Sequence, residues 1–224
     1  MRYKNVIWDL DGTLLDTLQD LADAVNYALT NHGMPCRTLE EIRSFVGNGV
    51  RNLVIRAVPE GEQNPQFNHV FTLFRTYYLE HCQDNTRPYN GINEVLSQLK
   101  RHDIGMAIVS NKLQAGVTEL NKRWFSEFID IAIGEREGIN RKPLPDMLNI
   151  AMKELNAKAE ETVYIGDSDT DILTSKNAGV QCISVLWGFR DRDFLIKHGA
   201  TNFAASPKEL LAMMETHAKE RGIE

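Results

Sequence analysis

The sequence predicts an α/β protein built on a doubly wound parallel sheet, with a helical domain inserted after its first strand. Three observations predict it. Five short apolar runs rich in Ile and Val recur along the chain, the pattern of strands covered on both faces. Between the last four runs, apolar residues return at spacings of three and four, the helical period. One long stretch, residues 16–87, carries helical patterns and no convincing strand.

The elements follow in order. Residues 3–8 form the first strand and run straight into Asp9-Leu10-Asp11-Gly12-Thr13. The insertion then shows three apolar faces. They are Leu18, Leu21, Ala22, Val25, Ala28 and Leu29; then Val50, Leu53, Val54 and Ala57; then Phe67, Val70, Phe71, Phe74, Tyr78 and Leu79. Turn signals at Asn31-His32-Gly33-Met34-Pro35 and from Pro59 to Pro65 separate them. The chain returns near Pro88-Tyr89-Asn90-Gly91, which divides it into a core of residues 1–15 and 88–224 and a helical cap of residues 16–87. Ile92, Val95, Leu96 and Leu99 predict the next helix, and residues 104–109 and 129–133 two further strands. Met147, Ile150, Ala151 and Leu155 predict another helix, and residues 162–165 and 181–186 the remaining strands. Ser206-Pro207-Lys208-Glu209 reads as an N-cap, a first-turn proline and a capping-box Glu. Strands alternating with helices give a Rossmann-like core, whose ligands bind at the carboxyl ends of the strands.

Composition narrows the function classes. The chain has 224 residues, 42% apolar and 25% charged, an ordinary globular balance. Its 25 basic and 31 acidic residues give a net charge of −6 with no basic stripe, which argues against nucleic acid as a partner. Cys36, Cys82 and Cys182 are odd in number and widely spaced, which fits neither a disulfide framework nor a zinc site but suits reduced thiols. His32, His69, His81, His102, His198 and His217 show no metal-ligand pairing. No signal-peptide pattern and no apolar run of membrane-spanning length is visible. The expectation is a cytoplasmic protein with no membrane partner.

Two acidic clusters carry the chemistry. Asp9 and Asp11 stand two residues apart where the first strand ends, so both can project into the crevice at its carboxyl end. Adjacent carboxylates repel and ask for a cation or a shared proton; they suit a nucleophile and a general acid/base, and the plainer alternative is a turn whose polar residues cap the strand. The second cluster, Gly166-Asp167-Ser168-Asp169-Thr170-Asp171, again closes a strand and supplies the oxygen ligands that hard divalent cations prefer. Acids at a helix N-terminus also suit the helix dipole, which accounts for Asp169 and in part for Asp171. Ser110-Asn111 after the second core strand offers a hydroxyl and backbone N–H groups to a phosphoryl oxygen, although taken alone it reads as a helix cap. Arg141-Lys142-Pro143 lies in a polar loop, where Lys142 taken alone reads as solvated.

Taken in this order, the first motif, Ser110, Lys142-Pro143 and Gly166 to Asp171 resemble the haloacid dehalogenase-like hydrolase superfamily, over essentially the whole chain. Val46-Gly47-Asn48-Gly49, Pro88-Tyr89-Asn90-Gly91 and Gly166-Asp167-Ser168 are similar to the bacterial phosphoglycolate phosphatases within it. The resemblance implies that Asp9 forms an aspartyl-phosphate and that Asp11 protonates the leaving oxygen, then deprotonates water. It implies Mg²⁺ held by the Asp9 carboxylate, the Asp11 backbone carbonyl and Asp167, with Asp171 in the outer shell. Ser110, the backbone at Asn111 and Lys142 are implied to bind the phosphoryl oxygens.

The implied substrate is a small phosphorylated metabolite, first 2-phosphoglycolate. In the cap, Asn48, Gly49 and Arg51 are candidates to contact its carboxylate, although a plain helix–helix turn reads equally well there. A phosphomutase, an inorganic pyrophosphatase and a non-catalytic phospho-ligand binder stay open on the same scaffold, and the oligomeric state is not legible.

Overall fold

A computed structural model describes residues 1–47 and 49–215; Asn48 and His217 lie outside the described residues. The chain divides into two compact units, residues 1–14 with 88–224, and residues 15–87.

The larger unit is built on a six-stranded parallel sheet. Its strands are β1 (Asn5–Trp8), β4 (Gly105–Leu113), β5 (Ile131–Glu135), β6 (Thr162–Gly166), β7 (Gln181–Val185) and β8 (Phe203–Ala204), in the order β5-β4-β1-β6-β7-β8. Counting these six alone, the order is 3-2-1-4-5-6, the doubly wound arrangement. The chain builds outward from β1 through β4 to β5, then crosses back to β6 on the other side of β1. β1 and β6 therefore flank the switch point, where such sheets open a crevice. Trp8 is in register with Ile108 of β4 and Ile165 of β6, so the next residue of each strand reaches the same level.

Helices cover the sheet. Ile7, Ala107, Val109, Ile133 and Tyr164 pack with Met147, Leu148 and Ala151 of helix α7 (Asp146–Glu154), all buried. Helix α5 (Ile92–Arg101) buries Ile92, Val95, Leu96 and Leu99, the face its spacing predicts. Each such side chain contributes roughly 1.5–3 kcal/mol on burial. Helix α6 (Gln114–Trp124) follows β4, and helix α8 (Asp169–Ala178) follows β6. All five predicted strands differ from the sequence reading at one end or both, β4 and β5 at both. β4 runs on to Leu113 rather than stopping at Val109, through a register shift against β5 between those residues. β5 starts at Ile131, because the N–H groups of Phe128 and Ile129 turn back onto the Phe125 carbonyl.

The smaller unit is helical, with α1 (Leu18–Asn31), α2 (Leu39–Phe45), α3 (Val50–Ala57) and α4 (Phe67–His81). Leu21, Val25, Ala28 and Leu29 of α1 pack with Phe67, Val70, Phe74 and Tyr78 of α4 and with Leu53 and Val54 of α3. Two-residue strands, β2 (Leu15–Asp16) and β3 (Arg87–Pro88), pair where the chain leaves and returns; they are too short to show a period of two. Near them the carboxylate of Asp20, 2% exposed, accepts from the N–H groups of Asn85 and Thr86, the Asn85 amide and the Thr86 hydroxyl at 2.7–3.0 Å. Four donors satisfy a carboxylate taken out of water. Among the described residues, no helix is long and apolar enough to cross a membrane.

Candidate active site

The site grows from the carboxyl ends of β1, β4 and β6. β1 is buried along its whole length and delivers Asp9 directly, with the Asp9 N–H bonded to the Ile165 carbonyl at 2.8 Å. A turn follows in which Gly12 has φ +85. A Cβ there would also fall under 3.0 Å from the Asp167 carboxylate. Only glycine meets both conditions, and the two acidic segments thereby approach each other.

β6 ends at Gly166, and α8 begins with Ser168 as its N-cap in a capping box with Asp171. Asp171 does more than cap. Its Oδ2 accepts from the Asp167 and Ser168 N–H groups and the Ser168 hydroxyl, while Oδ1 accepts from Lys142 at 2.7 Å and from the Tyr164 hydroxyl at 3.0 Å. With both oxygens so engaged, Asp171 is suited to hold Lys142 rather than to face an ion.

Lys142 is not solvated. It is 4% exposed, and its Nζ lies 2.8 Å from Asp9 Oδ1 and 2.9 Å from the Tyr164 hydroxyl. Its loop is held to β4 by Asn111, whose side chain accepts from the Lys142 N–H at 2.9 Å and donates to the Lys142 carbonyl at 3.0 Å. Ser110, 2% exposed, accepts from the Lys112 N–H at 3.1 Å. Asp9, Ser110, Asn111, Lys142, Asp167 and Asp171 thus meet in one place.

Electrostatics follow from that crowding. Burial, then the charge of Asp171, raises Asp9 well above the usual carboxylate range, and Lys142 opposes the shift. The same two causes push Asp167 up to about 7. For Lys142, burial works against the charged form, but the carboxylates of Asp171 and Asp9 outweigh it and raise the ammonium. Carboxyl oxygens of Asp9, Asp167 and Asp171 all lie within 4.8 Å of one another and are buried. Such a set of hard oxygen donors, its repulsion only partly offset by Lys142, fits a divalent cation, and Asp9 and Asp167 are the members with capacity to bind it.

Lys112, Tyr164 and the loop after β7 escape the sequence reading. Lys112 Nζ lies 3.1 Å from Asp11 Oδ1, with 11% of the lysine side chain exposed; it stands beyond the residues that the sequence reads as strand. The Phe189 N–H donates to Asp167 Oδ2, and the Trp187 indole donates to the Thr13 carbonyl at 3.0 Å. No local pattern announces these contacts.

The cap candidates belong to the helical unit. Gly49 is the N-cap of α3, with φ +86. The Arg51 guanidinium pairs with Glu62 at 2.9 Å and lies over the rings of Phe67 and Phe71, 5.1 and 5.3 Å from their centroids.

Comparison with known proteins gives a consistent result. The sequence profile described as haloacid dehalogenase-like hydrolase matches residues 6–185. Phosphoglycolate phosphatase 1 of Pseudomonas aeruginosa is 30% identical over 220 residues, 96% of this chain and 80% of that protein. The phosphoglycolate phosphatase of Aquifex aeolicus is 30% identical over 222 residues, 96% of this chain and 98% of that one. A crystal structure from Lactobacillus delbrueckii subsp. bulgaricus, given as a candidate phosphoglycolate phosphatase, superposes with a TM-score of 0.91 at 38% identity, covering 96% of this chain and 99% of that one.

Proposed function

We propose that this chain, which belongs to the haloacid dehalogenase-like hydrolase family, hydrolyses small phosphomonoesters, 2-phosphoglycolate first among them, through an aspartyl-phosphate on Asp9. One observation carries the reading: the carboxylate of Asp9 is buried at the switch point of the sheet, 2.8 Å from a buried lysine. The names of the Pseudomonas and Aquifex relatives support the substrate.

In this reading Asp9 attacks phosphorus, and the bond from phosphorus to the ester oxygen breaks as Asp11 delivers a proton to that oxygen. Asp11 then takes a proton from water, whose oxygen attacks phosphorus; phosphate leaves and the Asp9 carboxylate is restored. Lys142, the Ser110 hydroxyl and the Asn111 backbone N–H hold the phosphoryl oxygens. Asp171 keeps Lys142 in place and Tyr164 buttresses the pair. The Asp9 carboxylate, the Asp11 backbone carbonyl and Asp167 would hold Mg²⁺, which neutralises charge between the nucleophile and the anionic phosphoryl group.

The test is phosphate release from 2-phosphoglycolate, p-nitrophenyl phosphate, a hexose phosphate and pyrophosphate, with Mg²⁺ and with a chelator. The expected result is Mg²⁺-dependent turnover, fastest on 2-phosphoglycolate, that Asp9→Asn abolishes while the circular dichroism spectrum is kept. Beryllofluoride should inhibit the wild type. Substantial turnover by Asp9→Asn would remove the covalent step, and a stronger preference for pyrophosphate or a sugar phosphate would replace the substrate.

A further inference from the structure

Two lysines stand at the carboxyl ends of the core strands, and the mechanism above uses one. Lys142 faces Asp9 and Asp171, the phosphoryl side of the site. Lys112 faces Asp11. It sits on β4 two residues beyond Ser110, and its own N–H is bonded to the Ser110 hydroxyl. That bond ties Lys112 to Ser110 across the irregular end of β4. A lysine side chain only 11% exposed is more than a solvated surface charge.

Resting on the reading given above, Asp11 touches the ester oxygen of the leaving group. Where Asp11 Oδ1 serves both, Lys112 Nζ, at 3.1 Å from it, lies within two hydrogen-bond lengths, about 6 Å, of that ester oxygen. A carboxylate on the carbon that bears the ester oxygen falls inside this reach, whereas one placed several carbons away does not. An ammonium carries three donors, so Lys112 can serve Asp11 and a substrate carboxylate together. The pairing would be charge-assisted and sheltered from water, where such bonds are strongest. Arg51, the candidate for that task on sequence grounds, has its guanidinium engaged by Glu62 and stacked on Phe67 and Phe71.

We propose that Lys112 is the specificity-determining residue of the core, selecting phosphate esters of 2-hydroxy acids by pairing its ammonium with the carboxylate next to the ester oxygen. The site would then recognise its leaving group on the same strand that binds the phosphoryl group.

The experiment compares kcat/KM for 2-phosphoglycolate, for 3-phosphonooxypropanoate, whose carboxylate is one carbon farther away, and for ethyl phosphate, which has none. Wild type should prefer them in that order. Lys112→Met should lower the ratio of 2-phosphoglycolate to ethyl phosphate by about tenfold or more, the worth of one hydrogen bond to a charged group, mostly through KM. Lys112→Arg should restore part of it. Calorimetric binding of 3-phosphonopropanoate against propylphosphonate, on Lys112→Gln, gives a second reading that needs no turnover, and there the carboxylate should lose its advantage. A proportionate loss on all three esters would make Lys112 only a support for Asp11 and overturn the assignment. A wild-type preference that survives Lys112→Met overturns the Lys112 assignment alone. A wild type indifferent to the carboxylate overturns both that assignment and the substrate proposed above.

Discussion

The backbone N–H of Phe189 donates to Oδ2 of Asp167 at 2.6 Å, across 22 residues of sequence. The bond fixes one oxygen of a buried carboxylate and so sets where the other points. It exists because Gly188 lets the loop after β7 lie against the site. A Cβ on Gly188 would fall under 3.0 Å from both Asp167 Cβ and the Gly12 carbonyl oxygen. Gly188→Ala should therefore displace Asp167 and weaken Mg²⁺ or Mn²⁺ binding, read by calorimetry, by about tenfold or more, the equivalent of 1.4 kcal/mol. Unchanged affinity would show that the loop yields without moving the carboxylate.

Lys142 is the counter-charge of the cluster, so its loss should be felt in stability as well as turnover. Lys142→Met leaves Asp9 and Asp171 buried without their cation. Removing one member of a buried pair costs about 3–5 kcal/mol. Urea unfolding in chelator should show a loss of that order; a loss under about 1 kcal/mol would mean that water or a proton neutralises the carboxylates in place of the lysine.

Asp11 should separate from Asp9 in its dependence on leaving group. Asp11→Asn should slow turnover steeply on alkyl phosphates and less on esters whose leaving group needs no proton. The second half-reaction would still be slow, so p-nitrophenyl phosphate should give a burst of nitrophenolate followed by a slow phase. An equal loss for every leaving group, without a burst, removes Asp11 from proton transfer.

The pH dependence of the metal-free protein has a definite sign. Burial and the Asp171 charge raise Asp167 from 3.8 to about 7. Between those values the folded chain holds a proton that the unfolded chain has released, so this group makes stability fall as pH rises. Asp9, also raised, acts in the same direction. The melting temperature in chelator should decline from pH 5 to 7.5, and Mg²⁺ should stabilise the protein more at pH 7.5 than at pH 5, because proton and cation compete for the same oxygens. A melting temperature in chelator that climbs across this range would contradict the buried, crowded state of the two carboxylates.

The strands that carry the site were legible because each is a continuous apolar run ending in polar residues, as β1 does at Asp9 and β6 at Gly166-Asp167. The two-residue strand at Phe203–Ala204 was not, since it is shorter than one alternation. Among the site residues, those in compact motifs could be read off. Lys142 looked solvated because its burial comes from Asp9, Tyr164 and Asp171, which lie far from it in sequence. The roles of Lys112 and Phe189 are hidden in sequence for the same reason: their partners, Asp11 and Asp167, are 101 and 22 residues away. Local patterns encode elements, whereas these contacts exist only once the sheet has brought its strand ends to one level.

The grip of Asp20 on Asn85 and Thr86 has a consequence for the entropy of the polypeptide. Closing a flexible loop of about 70 residues costs (3/2)RT ln n, on the order of 4 kcal/mol, beyond the constant for the shortest loop. A protein whose first core strand is followed by so long an excursion would bear that cost whenever β1 and β4 pair. With its two ends fastened by one buried carboxylate, the helical unit returns the chain to its point of departure, and β4 meets β1 as if joined by a short connector. Loss of the clasp by Asp20→Ala would thus be felt in the folding rate of the sheet, although Asp20 belongs to the helical unit.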